Sequence, residues 1–234
     1  MEPYFTTKLG KLYHADCMDM LLDMDADSVD LTLTDPPYGL GMSRSANRRN
    51  NQRPKVTKKN PNGTFIPRKD YGDMDWDDAP PSTECFHQIQ RVSKNAVIFG
   101  GNYFTLPPSK SWIVWDKDNG TNHFADCAWT SFNTPVRMVK YRWNGMLQGN
   151  LSATSIEKEK RIHPTQKPVF VMRWILERYA KEGDTIADFF FGGGTTAMAC
   201  EMLGFNWIGI EREEKYCEAA AARLSQPIQK GLVA

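Results

Sequence analysis

The segment from Thr185 to Glu211 constrains this chain more than any other. Thr185–Phe190 reads as a strand, Gly192-Gly193-Gly194 as a loop, Thr195–Leu203 as a helix, and Asn206–Ile210 as a second strand closed by Glu211. Strand, glycine loop, helix, strand and acid in that order form the mononucleotide-binding half of a doubly wound α/β sheet. Three consecutive glycines let the backbone approach a ligand without Cβ hindrance at the positive end of the following helix. The loop is not a Walker loop, because Thr195-Thr196 follows Gly194 and no Lys-Ser/Thr pair stands there; it also lacks the full Gly-x-Gly-x-x-Gly pattern. Glu211 stands where a carboxylate accepts ribose hydroxyls. An adenosine-bearing cofactor with little or no phosphate fits this pattern, and so does a plain glycine-rich turn.

The rest of the chain supplies elements for the same architecture. Val29–Thr34 alternates, is β-branched, and stops at Asp35-Pro36-Pro37, where two prolines end a strand. Ser82–Val92 predicts a helix on Phe86, Ile89 and Val92, and Ala96–Phe99 and Trp112–Trp115 are short buried strands. Two more strands are expected within 127–142, while 143–162 is polar and irregular. Val169, Met172, Ile175, Leu176 and Tyr179 fall at helical spacing with Gly183 as a stop, and Glu213–Leu224 closes the chain as a helix. No internal repeat is present. The expected fold is α/β: one doubly wound, mostly parallel sheet with helices on both faces. A length of 234 residues suits a single domain, 1–234, with a small recognition segment.

Charge is where the totals mislead. Lys and Arg number 29 against 28 Asp and Glu, for a net charge of +1. Nine of the basic residues lie between Gly41 and Lys69, among them Arg44, Arg48, Arg49, Arg53 and Lys55, with no acid in that stretch. Asp70, Asp73, Asp75, Asp77 and Asp78 follow at once. The chain is electrically polarised, which matters more for partner choice than the sum does. Residues 41–69 read as a basic mobile loop suited to phosphate contacts, or else as a solvated insertion.

Other classes are not expected. No apolar run approaches membrane-spanning length and the start lacks a signal-peptide pattern, so the reading is a cytoplasmic protein without a membrane partner. Five scattered cysteines (Cys17, Cys85, Cys127, Cys200, Cys217) form no Cys-x-x-Cys pair, and the four histidines add no ligand spacing, so no metal is expected.

Asp35-Pro36-Pro37-Tyr38 is the second motif with chemistry in it. The Asp35 carboxylate and the Pro36 carbonyl are two acceptors held side by side by rigid proline rings, and Tyr38 offers an aromatic platform. An exocyclic amino group of adenine or cytosine is a poor nucleophile because its lone pair is conjugated with the ring. Two aligned acceptors on its hydrogens push the nitrogen toward tetrahedral geometry and free the lone pair. A strand-ending Pro-Pro turn with a packed Tyr is the alternative reading.

Taken with Asp188-Phe189-Phe190-Phe191-Gly192-Gly193-Gly194-Thr195-Thr196, this motif resembles the S-adenosylmethionine-dependent DNA amino-methyltransferases, which methylate adenine N6 or cytosine N4. The catalytic motif precedes the cofactor motif, the order of their β class. His163-Pro164-Thr165-Gln166-Lys167-Pro168 and the segment Tyr13–Leu21 are similar to two further family motifs. The resemblance runs from about residue 10 to about residue 224.

The resemblance implies S-adenosyl-L-methionine as cofactor, with Asp16 on its adenine amino group and Glu211 on its ribose. Asp188, Phe190 and the backbone of Gly192–Gly194 would line its methionine part. Thr165, Lys167, Thr195 and Thr196 would hold its carboxylate. Asp35, Pro36, Pro37 and Tyr38 would handle a flipped base. An Asp at the first motif position resembles the adenine-N6 enzymes more than the cytosine-N4 enzymes, where Ser is commoner; Phe189 stands where the family usually has Pro. The expected partner is double-stranded DNA, contacted by the basic stretch and by a recognition segment at 141–161 that includes Arg142 and Asn144, together with Trp143 and Gln148. A homodimer sharing recognition and a companion restriction nuclease are compatible with so short a reader. Cytosine-N4 transfer, methylation of RNA, and a catalytically weak cofactor- and DNA-binding subunit stay open.

Overall fold

The computed structural model describes residues 1–41, 56–59, 65–67, 77–118, 125–144, 147–149 and 158–227. The chain divides into two compact units, residues 1–36 with 82–234, and residues 37–81. In the larger unit β1 (Phe5–Thr6) and β2 (Gly10–His14) lead into α1 (Cys17–Asp23) and β3 (Val29–Thr34). The smaller unit contains β4 (Val56–Lys59) and β5 (Phe65–Pro67). Back in the larger unit follow α2 (Thr83–Val92), β6 (Ser93–Phe99), β7 (Trp112–Asp116), β8 (Ala125–Thr130), β9 (Arg137–Lys140) and the pair β10 (Trp143–Asn144) and β11 (Leu147–Gln148). The chain then makes α3 (Val169–Tyr179), β12 (Thr185–Asp188), α4 (Thr195–Leu203), β13 (Asn206–Glu211) and α5 (Glu214–Leu224).

Nine strands form one sheet in the order β1-β2-β13-β12-β3-β6-β8-β7-β9. From β2 to β6 every neighbour is parallel, while β1 and β8 run against their partners. Alternation along the strands feeds two cores, as period-2 side chains must. Val97, Phe99, Ile186 and Trp207 pack with α3, α4 and α5, whereas Ala96, Ile98, Ala187 and Ile210 pack with α1 and α2. Helices therefore cover both faces, and the mostly parallel doubly wound sheet read from the sequence is the one observed.

Adjacent strands β12 and β3 send their chains opposite ways, one through α4 to β13 and the other through α2 to β6. That divergence is a topological switch point, and the crevice beyond the carboxyl ends of such strands is where open α/β sheets bind ligands.

Several elements differ from the sequence reading. The strand expected to reach Phe190 stops at Asp188, because the Phe190 N–H turns back to Asp188 Oδ1 at 3.2 Å. The stretch 143–162, read as irregular, opens with the β10–β11 hairpin. Two strands, β4 and β5, pair antiparallel inside the stretch read as a loop. Arg44, Arg48, Arg49, Arg53 and Lys55 lie outside the described residues. Among the described residues no helix is long and apolar enough to cross a membrane.

Candidate active site

Four neighbouring strands end on carboxylates. Following the sheet order, β2 leads to Asp16, β13 ends at Glu211, β12 ends at Asp188, and β3 leads to Asp35. Parallel register aligns these ends: His14 pairs with Glu211, and the Ala15 N–H donates to the Glu211 carbonyl at 3.1 Å. An acceptor-rich edge results at the switch point.

Asp188 is buried, and its partners are uncharged. The Thr34 hydroxyl donates to Oδ1 at 2.7 Å, the Phe190 N–H to the same atom, and the Thr196 hydroxyl also serves the carboxylate. Burial pushes its carboxyl up to about 6, with the Asp35 charge adding to the rise and the three donors opposing it. Glu211 is held alike: Oε2 accepts the Gly192 N–H at 2.7 Å and Oε1 the Glu213 N–H at 2.8 Å. Burial raises its carboxyl too. Asp16 is exposed and caps α1 through the Met18 N–H at 2.8 Å.

The glycine loop is tied to this edge. Gly192 and Gly194 take φ of +52° and +68°, a region that disfavours any side chain. Phe189 is buried in the core under α1 and α2, while Phe191 stacks on Trp207 at 5.6 Å in the other core. A Cβ at Gly209 would lie 2.2 Å from the Phe191 ring, so β13 needs glycine there. Thr195 and Thr196 begin α4 and are buried.

The turn 163–168 comes in beside the loop. A Cβ on Gly192 would sit 3.6 Å from the His163 ring, and Thr165 Oγ1 is 3.2 Å from His163 Nδ1. Lys167 Nζ donates to Asp35 Oδ2 at 2.7 Å. Asp126 Oδ2 is 3.6 Å from the same nitrogen and Lys117 is 2.5 Å from Asp126 Oδ1. Asp126 reaches this edge because β8 runs opposite to the parallel strands, so its first residues arrive where theirs end.

Arg223 and Glu159 were not anticipated from the sequence. Arg223 Nη1 donates to the Gly193 carbonyl at 2.8 Å, and Nη2 to Glu159 Oε1 at 2.6 Å. Glu159 also accepts from Gln166 at 2.7 Å and from the Val169 N–H at 2.9 Å, the first turn of α3. No spacing in the sequence signals these contacts.

The smaller unit holds the second half of the proline motif. Asp77 Oδ1 accepts the N–H groups of Tyr38 at 3.0 Å and Gly39 at 3.1 Å, and its carbonyl accepts that of Gly41 at 3.0 Å. One acid of the run 70–78 thus fixes the turn that carries Tyr38.

The recognition segment is placed in part. Trp143 and Gln148 are buried and bonded within the fold, Trp143 to the Gln166 carbonyl and Gln148 to both backbone groups of Glu159. Arg142 is half-buried and pairs with Asp118 Oδ2 at 2.6 Å. The side chain of Asn144 lies outside the described residues.

S-adenosyl-L-methionine fits this edge chemically. Its sulfonium and ammonium groups are cations, and its ribose hydroxyls and adenine amino group are donors, against a row of acceptors in a glycine cradle.

Comparison with known proteins points the same way. The N6_N4_Mtase family, described as DNA methylase, matches residues 104–222. Type II methyltransferase M2.LlaDCHI of Lactococcus lactis subsp. cremoris is 27% identical, over 99% of this chain and 95% of its own. Type II methyltransferase M2.DpnII of Streptococcus pneumoniae is 28% identical, over 95% and 92%. Among solved structures, the M1.HpyAVI–SAM complex has a TM-score of 0.53 at 21% identity, covering 93% of this chain and all of that one. PvuII DNA methyltransferase (cytosine-N4-specific) has a TM-score of 0.59 at 16% identity, covering 96% and 89%. The structural likenesses establish the fold, and the family match over half of the chain establishes the rest: the chain belongs to the N6_N4_Mtase family of S-adenosylmethionine-dependent DNA amino-methyltransferases.

Proposed function

We propose that the chain methylates the exocyclic N6 of adenine within a short duplex-DNA sequence, on a nucleotide extruded from the helix. The observation that carries this reading is the carboxylate of Asp35 at the switch point, on the strand next to the one that ends in Asp188. Bound S-adenosyl-L-methionine supplies an electrophilic methyl group on a cationic sulfur. Asp35 and the Pro36 carbonyl accept the two amino hydrogens, which localises the lone pair on nitrogen. As the N–C bond forms, the S–C bond breaks, a neutral thioether leaves, and the surplus proton on nitrogen passes to Asp35 or to solvent. Tyr38 stacks the extruded base, and unstacking it from the duplex costs a few kcal/mol. Asp rather than Ser at position 35 favours adenine. Asp16 and Glu211 bind the adenosine part, while Asp188, Phe190, the glycine loop, Thr165, Thr195 and Thr196 hold the methionine part.

The test incubates the protein with methyl-labelled cofactor and duplex DNA and identifies the modified nucleoside. N6-methyladenine is expected; N4-methylcytosine would overturn the adenine assignment, and methylated RNA without methylated DNA would overturn the duplex substrate. Asp35→Ala should cost on the order of a thousandfold in transfer with cofactor binding retained. The basic stretch supplies phosphate contacts in this reading. Replacing Arg48, Arg49 and Arg53 by Ala should weaken binding to any DNA sequence and flatten its salt dependence by roughly three phosphate contacts.

A further inference from the structure

Lys167 is among the most deeply buried charges of the described residues, its side chain 7% exposed. Removing an ammonium from water is costly unless anions compensate it. Two carboxylates do so here, unequally. Asp35 Oδ2 at 2.7 Å is a full charge-assisted hydrogen bond, whereas Asp126 Oδ2 at 3.6 Å lies beyond hydrogen-bond reach and contributes by charge alone. Lys117 on Asp126 completes a row of alternating signs, Lys117–Asp126–Lys167–Asp35, drawn from separate segments of the larger unit. The Phe99 ring, 5.1 Å from Nζ, closes one side.

The row matters because of what stands behind it. Asp188, on the neighbouring strand end, feels the charge of Asp35. Without a cation between the 163–168 turn and β3, two carboxylates would repel each other at the reacting edge. With it, the negative charge at Asp35 is met by a cation and the carboxylate is fixed through Oδ2 before any base arrives.

We propose that Lys167 is a positioning residue of the transfer reaction, acting through Asp35 by fixing the carboxylate that receives the amino group of the target base. This goes beyond a role for Lys167 on the cofactor's carboxylate, and it rests on the reading of Asp35 as the acceptor. A side chain that serves the cofactor sets cofactor affinity; one that serves Asp35 sets the rate of transfer from the complete complex.

The experiment uses the full chain with Lys167→Met, Lys167→Gln, Lys167→Arg, Asp35→Asn and the double variant Asp35→Asn with Lys167→Met. Single-turnover transfer to duplex DNA, cofactor affinity by calorimetry and thermal unfolding are measured for each. Lys167→Met should slow transfer on the order of a hundredfold while cofactor affinity stays within about threefold. Lys167→Gln should match it and serves if the Met variant unfolds. Lys167→Arg should recover to within about tenfold of the parent, keeping the charge without the same geometry. In the Asp35→Asn background the Met substitution should cost less than about threefold, because the carboxylate that Lys167 fixes is already gone. A tenfold or greater loss of cofactor affinity with undiminished transfer at saturation, or an equal cost in both backgrounds, would overturn the proposal. Full transfer by Asp35→Asn alone would instead sink the reading of Asp35, a separate and recognisable outcome.

Discussion

The two sides of the carboxyl edge treat their acids in opposite ways. On the β12–β13 side, Asp188 and Glu211 are buried among hydroxyls and backbone N–H groups, and both carboxyls are pushed up by burial. On the β3 side, Asp35 is met by a lysine. Neutral donors stabilise a carboxylate only partly, so the β12–β13 side is short of positive charge until something cationic arrives. The β3 side is compensated in advance by Lys167, as the role proposed for Asp35 asks of it. A cationic methyl donor and a neutral amino group are the ligands these two halves suit.

Asp188→Asn is the strongest way to break this contrast. It keeps the hydrogen-bond geometry near Thr34 and removes the charge, so cofactor affinity should fall by roughly ten- to a hundredfold, read by calorimetry at pH 8. In the parent, affinity should rise between pH 5 and 7 with a midpoint near 6, where Asp188 ionises, and the variant should lose that rise. Stability moves the other way. A carboxyl raised from 3.8 to about 6 adds stability that is complete below pH 3.8 and is lost as pH rises through 6. Above pH 6 the ionised group costs up to about 3 kcal/mol. Asp188→Asn should therefore melt higher than the parent at pH 8 while binding cofactor worse. A variant that loses both stability and affinity would remove the charge deficit from the account.

Legibility in the sequence divides along the same edge. Asp188, the glycines and Glu211 are contiguous or one crossover apart, so strand and helix periodicity placed them together. Asp35-Pro36 was visible as a motif. Its electrostatic environment was not, because Lys167 and Asp126 reach it from 132 and 91 positions away along the chain, and only the antiparallel course of β8 brings Asp126 round. Asp77 was hidden for a different reason. Inside a run of five acids nothing set it apart from its neighbours, whereas one oxygen of it holds two N–H groups of the Tyr38 turn. Periodicity also failed on β1, β10 and β11, two residues each, too short to alternate.

Arg223 sharpens the comparison from the outside. It gives the glycine loop the charged partner that Asp188 lacks, but through the Gly193 carbonyl and not through an acid. Arg223→Met should raise the cofactor dissociation constant about tenfold with transfer at saturation within about threefold, since the loop is loosened and Asp35 is untouched. It also strands Glu159, half of an ion pair whose side chains are 13% and 14% exposed, at a cost of about 2 kcal/mol after allowance for solvent. Glu159→Gln in the same background should restore part of that stability in chemical denaturation. If Arg223→Met instead slowed transfer and spared affinity, the division of labour between the two sides would fail.

The smallest effect concerns His163, the group an acid limb near pH 6 would ordinarily implicate. Burial, with the charges of Lys167 and Lys215, pushes its imidazole down to about 3, and its ring lies edge-on to Tyr216 at 4.3 Å. It is neutral throughout the working range, so His163→Asn should leave the midpoint of cofactor affinity against pH where it is, within about 0.3. Stability distinguishes the two groups by sign. His163 adds stability above its ordinary 6.5 that is lost as pH falls toward 3, whereas Asp188 adds stability as pH falls from 6 to 3.8. The two slopes oppose each other across that window. Relative to the parent, His163→Asn should grow more stable from pH 6.5 to 4.5 in urea titrations, and Asp188→Asn less stable. Slopes of the same sign would mean that one of these neighbours is not the buried group its surroundings make it.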